Sequence, residues 1–327
     1  MVTERTAARR AFDFIGCFEG IVDNVERVIQ GKDEAVRLAL VCLVAEGHLL
    51  IEDVPGVGKT SLAKALATSL DLQWQRIQFT PDLLPSDVTG VNVYNRANGT
   101  FDFRPGGVFA NIVLGDEINR ASPKTQSALL EAMEEHQVTV DAKTYRLPAP
   151  FMVMATQNPI EHEGTYPLPE SQVDRFLMRA HMGYPGRRAE ITMLEAHGSD
   201  SVIGHLHPVA DAHDVADMVS QARAVFVAPA LKGYIVDLAA ATRTHPSLAL
   251  GMSPRAALAL QRASRAWAAA QGRDYVTPDD VKSLARPVLS HRLALSPDAH
   301  VGGLGPEDAL EEILASVPVP TGRTAQA

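Results

Sequence analysis

Apolar residues are spaced differently in different parts of the chain. The tract Ala35–Glu46 has helical length and periodicity, and His48–Glu52 is then a short apolar run that predicts a buried strand. A Gly/Pro loop follows, and then a helical tract over Thr60–Leu70. Gln75–Thr80 reads as the next strand, and three buried strand candidates come after it: Ile112–Gly115, Phe151–Thr156 and Phe176–Met182. Helical stretches, notably Ser122–Glu135, separate most of these runs. Strands alternating with helices predict an α/β fold, a parallel sheet covered on both faces.

Two irregular insertions interrupt the alternation. Residues 81–107 are rich in Gly, Pro, Asn and Asp, with Val91–Tyr94 and Thr100–Phe103 flanking the hairpin signal Asn98-Gly99. Residues 136–150 predict a second hairpin, Gln137–Asp141 against Thr144–Leu147. Beyond Tyr184-Pro185-Gly186 strand-like runs largely stop and Ala-rich helical tracts take over: Arg188–His197, Val215–Ala224, Ala230–Ala241, Ser253–Ala270 and Pro278–Leu289. The expected organisation is an N-terminal helical segment (1–27), an αβ domain (28–185) and a smaller all-α domain (186–317). A disordered tail (318–327) is expected to close the chain.

Composition narrows the classes. Hydrophobic residues make up 46% of the 327, enough for a sizeable core, and charged residues only 21%, too few for a disordered chain. A net charge of −9 argues against a protein that grips nucleic acid over its whole surface, though not against a local basic channel. Cys17 and Cys42 stand in apolar surroundings without metal-ligand spacing. Met1–Arg10 is polar with no apolar signal stretch behind it, and no run of about 18 apolar residues predicts a membrane span. The expected setting is the cytoplasm.

The strongest chemistry lies in Glu52-Asp53-Val54-Pro55-Gly56-Val57-Gly58-Lys59-Thr60, between a strand and a helix, the context a P-loop requires. Gly56 and Gly58 let the backbone approach phosphates, flanked by Pro55 and Val57, and the following helix adds its positive end. Lys59 is the candidate for the β- and γ-phosphates, with Ser61 beside it, and Thr60 is a candidate Mg2+ ligand. Asp53 stands where the usual pattern begins with glycine. A second signal is Asn111–Glu117, a buried strand ending in two acids: Asp116 for the Mg2+ shell, Glu117 to polarise water. Paired acids alone are common on surfaces; the P-loop gives these their weight. Asn158, after the strand Phe151–Thr156, could orient the attacking water, or be a turn-forming Asn-Pro.

Together these stretches resemble the MoxR family of AAA+ ATPases. The resemblance extends through Val28–Lys32, Gly47–Thr60, Asp116–Arg120, Ala155–Pro159, Leu168–Phe176 and Gly251–Ala256. It implies an AAA+ αβα sandwich with a helical lid, binding ATP and Mg2+. The segment Ile29–Lys32, with Gly31, looks like the linker flanking the adenine, and Asn158 like sensor 1. Arg175 looks like an arginine finger for the neighbouring subunit, and Arg255 like sensor 2, contacting the nucleotide of its own subunit. The bland alternative for Arg175 is an ion pair with Asp174 or Glu170. Arg120 is a candidate second contact across the boundary; His48 and His162 read as satisfied structural histidines.

The resemblance further implies a homo-oligomeric ring, a hexamer, that remodels or matures a protein client, including cofactor or metal insertion. A separate partner carrying a von Willebrand factor A domain is also implied. Two other classes stay open. A nucleic-acid motor would use the hairpins, which offer Arg96, Arg104, Lys143 and Arg146 as basic residues. A non-hydrolysing nucleotide scaffold would not need Lys59, Thr60, Asp116, Glu117 and Arg175 together.

Overall fold

The computed structural model describes residues 12–158, 165–196 and 202–320. The first part runs α1 (Phe14–Glu26), α2 (Asp33–Val44), β1 (Leu49–Glu52), α3 (Lys59–Ser69), β2 (Trp74–Gln78), α4 (Pro85–Thr89), β3 (Gly90–Asn95), β4 (Thr100–Pro105) and β5 (Ile112–Asp116). It continues with α5 (Pro123–Glu135), β6 (Gln137–Val140), β7 (Lys143–Arg146), β8 (Met152–Gln157), α6 (Glu170–Val173) and β9 (Met178–Ala180). The second part holds α7 (Arg187–Ala196), α8 (Ala212–Ala224), α9 (Pro229–Thr244), β10 (Leu248–Leu250), α10 (Pro254–Ala270), α11 (Pro278–Leu289), β11 (Ala294–Leu295), α12 (Pro297–Val301) and α13 (Pro306–Ser316).

Five strands form a sheet in the order β2-β5-β8-β1-β9, every pair parallel. Both faces are covered, and side-chain alternation explains how. Leu49 and Ile51, Ile112 and Leu114, Met152 and Met154 point into a core shared with α1, α2, α3, α8, α9, α10, α11 and α13. Leu50, Val113 and Val153 point into a second core against α5, whose Leu129, Leu130 and Met133 are buried there. Helices α8, α9, α10, α11 and α13 of the second part thus pack into the same core as one sheet face.

Local chemistry starts the helices. Ser122 accepts from the Thr125 amide ahead of α5, Ser253 from the Ala256 amide ahead of α10, and Thr277 and Asp280 form a reciprocal capping box on α11. Each has proline in its first turn, where no amide bond is lost.

Both insertions contain hairpins. In β3–β4, Tyr94 faces Phe101 across the ladder and Gly99 turns the chain at φ +68°. Tyr94 and Phe101 are exposed. The β6–β7 hairpin lies against it: Phe103 stacks on Tyr145 with ring centroids 3.8 Å apart, and Asn92 donates to Asp141 at 2.6 Å. Two of the departures from the sequence reading concern strands. The strand expected over Phe176–Met182 is only Met178–Ala180, because the Met182 amide bonds to the Asp53 carboxylate and not to a neighbouring strand. A small antiparallel pair, β10–β11, sits among the helices of the second part.

Candidate nucleotide site

Strand order brings three separate motifs to one edge. The P-loop follows β1, Asp116 ends β5, and Asn158 follows β8, which lies between them. The carboxyl ends of a parallel sheet are where such folds bind ligands. Helix α3 begins at Lys59, and Gly58 ahead of it takes φ +95°, with Gly56 at φ +85°. Those left-handed angles suit glycine and turn successive amides inward. A Cβ built on Gly56 would meet nothing within 4 Å, so the cradle is open on that side. One built on Gly58 would lie 3.7 Å from Ile29 and 3.9 Å from Met182, which makes an apolar flank beside the loop. Gly31, at φ +70°, approaches Ala189 of α7, where a Cβ would stand at 3.4 Å. Thr60 and Ser61 occupy the first turn of α3; Pro55 is exposed and Val57 is buried.

Lys59 donates to the Asp53 carbonyl at 2.8 Å. Burial pushes its ammonium below the ordinary lysine value, and Asp116, Asp53 and Glu117 pull the other way. The acids are tightly held. Thr156 Oγ1 donates to Asp116 Oδ1 at 2.6 Å and accepts from the Glu117 amide at 2.8 Å. Arg76 on β2 donates to Asp116 Oδ2 at 2.6 Å, and Gln78, two residues on, donates to Glu117 Oε2 at 2.9 Å. Arg120 reaches the same oxygen at 3.3 Å. Glu117 sits at φ 56°, ψ 51°, a left-handed conformation that costs a non-glycine residue on the order of 1–3 kcal/mol and clusters at functional sites. Asn158 is buried.

Thr156, Arg76 and Gln78 escape the sequence reading. Each acts across a strand boundary, and only the predicted strand Gln75–Thr80 hinted that two of them would sit beside the acids. The Thr60 hydroxyl and the Asp116 carboxylate are the hard oxygens that would hold Mg2+. Among the described residues no group of three or more His, Cys, Asp or Glu could hold a metal ion.

The arginines lie elsewhere. Arg175 precedes β9 and pairs with Glu134 of α5 at 2.6 Å, not with Asp174 or Glu170, and donates to the Leu130 carbonyl at 2.9 Å. Arg255 requires a correction. The sequence reading sets it on the nucleotide of its own chain, yet it donates to Glu134 at 3.0 Å, the carboxylate that also holds Arg175. Arg175 and Arg255 line a cavity of about 120 Å³ together with Gly47 and His48. Those two residues precede β1, whereas the P-loop follows it, so Arg255 faces the opposite edge of the sheet from its own P-loop. The cause is the docking of α10, whose Ala256, Leu260 and Ala263 are buried in the core shared with α2.

His48 is structural. Nδ1 accepts from the Val153 amide at 2.9 Å, Nε2 faces the Met133 carbonyl at 3.0 Å, and burial pushes its pKa down to about 4. His162 lies outside the described residues.

Fold and site together define a P-loop ATPase domain followed by a helical lid. Residues 48–178 match the ATPase family associated with various cellular activities (AAA), and residues 240–313 match the AAA lid domain. The chain is 51% identical to protein YeaC of Bacillus subtilis, covering 93% of this chain and 95% of that one. It is 42% identical to chaperone MoxR1 of Mycobacterium tuberculosis, covering 92% and 82%. A crystal structure from Cytophaga hutchinsonii, described as a candidate ATPase, superposes with a TM-score of 0.88 at 39% identity, over 94% of this chain and 96% of that one. The chain belongs to the MoxR family of AAA+ ATPases.

Proposed function

We propose that the protein hydrolyses Mg-ATP as a homo-oligomeric ring, six subunits in the family form, and uses the cycle to remodel a client protein. The observation that carries this reading is the division of the site. The P-loop, Asp116, Glu117 and Asn158 converge on one edge of the sheet, while Arg175 and Arg255 stand together on the other. An arginine that stabilises transferring phosphate is most useful where it can reach one, and in a ring the far edge of one subunit meets the phosphate edge of the next. Arg255 is accordingly assigned to the neighbour's site alongside Arg175.

Within each site Lys59 and the loop amides would hold the phosphates, Thr60 and Asp116 the Mg2+, and the Ile29–Gly31 linker the adenine. Bound there, Mg2+ supplies charge neutralisation. Glu117 would orient and deprotonate the attacking water, assisted by Asn158. The exposed Tyr94 and Phe101 suit apolar contact with a protein client better than phosphate contact. The family resemblance adds a maturation role and a separate partner with a von Willebrand factor A domain. The proposed setting is the cytoplasm. No helix among the described residues is long and apolar enough to cross a membrane.

Mixing tests the division directly. Arg175→Ala keeps its own P-loop, and Lys59→Ala keeps its arginines; each should be inactive alone. Mixed rings contain intact composite sites, so the mixture should regain ATPase activity. A mixture that stays inactive while subunits demonstrably exchange would sink the shared-site model.

A further inference from the structure

The position that is usually glycine at the start of a P-loop is Asp53 here, and its side chain is fully employed. Oδ1 accepts from the Val54 amide at 3.0 Å. Oδ2 accepts from two consecutive amides, Met182 at 2.6 Å and Gly183 at 2.5 Å. Consecutive amides converging on one oxygen form an anion nest, and Gly183 takes φ +59°, the left-handed angle such a turn uses. Glycine at position 53 could make none of these bonds.

The same short segment is gripped from its other side. Lys32 Nζ donates to the carbonyls of Met182, of Gly183 at 2.9 Å and of Tyr184 at 2.7 Å. One carboxylate holds the amides and one ammonium holds the carbonyls. The segment joins β9 to α7, so it is the connection from the sheet to the helical region. Asp53 also touches the phosphate side of the loop, because its carbonyl accepts from Lys59. An arriving phosphate would compete with that carbonyl for the Lys59 ammonium.

We propose that Asp53 is a positioning residue: it latches the phosphate loop to Met182–Tyr184, so that occupancy of the loop is passed to α7, with Lys32 holding the segment's opposite side. The proposal rests on the nucleotide reading above. Hydrogen bonds to a charged carboxylate are roughly twice as strong as neutral ones, so a neutral side chain weakens the latch and glycine removes it.

Hydrogen exchange with and without ADP, on wild type, Asp53→Gly, Asp53→Asn and Lys32→Met, tests this. Fluorescent ADP analogue binding is measured on the same samples. In wild type, ADP should change exchange across α7. In Asp53→Gly, nucleotide-free peptides over Met182–Tyr184 should exchange roughly tenfold faster or more. That variant should still bind ADP, but without the response in α7. Lys32→Met should uncouple α7 in the same way. Asp53→Asn, which keeps an acceptor and guards against a folding failure of the glycine variant, should fall between. Unchanged exchange over Met182–Tyr184 in Asp53→Gly overturns the latch, as does a wild-type response of α7 in that variant or no response of α7 in wild type. A wild type that binds no ADP removes the nucleotide reading and the latch together; one that binds ADP beside an indifferent Asp53→Gly removes only the latch.

Discussion

At the carboxyl edge of the sheet, the two acids beside the P-loop are held by bonds from adjacent strands: Thr156 and Arg76 on Asp116, and Gln78 on Glu117. At the amino edge, Arg175 and Arg255 come from parts of the chain eighty residues apart (255 − 175) and share a single carboxylate, Glu134. The first edge carries the proposed phosphate loop with its acids already positioned. The second is a cluster of arginines, Arg175, Arg255, Arg262 and Arg292, lining one cavity with the carboxylates of Glu46, Glu134 and Asp174. In the proposed assembly the two edges would meet between chains, head to tail, a contact that gives a ring where its rotation closes.

Breaking the cradle should have the largest effect. Lys59→Ala should lose ATP binding altogether; normal binding heat in a calorimetric titration would mean the carboxyl edge is not the phosphate site. Next comes the arginine edge. Arg175→Ala should bind ATP normally yet turn it over about 10³–10⁵-fold more slowly, the range seen for fingers supplied by a neighbour. Arg255→Ala sharpens the comparison, because an arginine serving the neighbour leaves its own chain's affinity for ATP in the dissociated subunit unchanged. A large loss of affinity there would return Arg255 to its own nucleotide. Glu117→Gln should retain binding and slow hydrolysis by about 10²–10⁴-fold, measured by single-turnover kinetics.

The smallest effect concerns stability at the amino edge. His48 titrates near 6.5 when unfolded and is pushed down to about 4 when folded. Above pH 6.5 both states are neutral there. As pH falls towards 4, only the unfolded chain takes the proton, so stability is lost across that window. The loss from this residue should be about 2 kcal/mol between pH 7 and pH 5. Burial depresses His291 in the same direction and adds to the slope. In urea unfolding at the two pH values, His48→Gln should show a smaller difference than wild type; an equal difference would clear His48 of the role.

Much of the carboxyl edge is legible in sequence because its parts are contiguous. Glu52–Thr60 carries loop, lysine and helix start in one stretch, and Asn111–Glu117 carries strand and acids in another. Short apolar runs also locate the strands of the parallel sheet. What stays hidden depends on which strand lies beside which. Arg76 and Gln78 meet the acids only because β2 pairs with β5 in the register Gln78 to Asp116. The side on which Arg255 emerges depends on how α10 docks, and no local pattern encodes that. Strands as short as β10 and β11 are beneath the reach of periodicity. Asp53 was visible as a departure from the motif, but its partners, Met182 and Gly183, are 129 and 130 residues away.

The stack of Phe103 on Tyr145 has a mechanical consequence. One hairpin is anchored between β2 and β5, the other between α5 and β8. Their contact closes these four attachments into a frame braced outside the sheet. A load applied at the exposed Phe101 tip is therefore divided between the strand that ends in Asp116 and the strand that leads to Asn158. Under the proposed function, a client pushing that tip would load both strands that carry the groups proposed to activate water, Asp116 with Glu117 and Asn158.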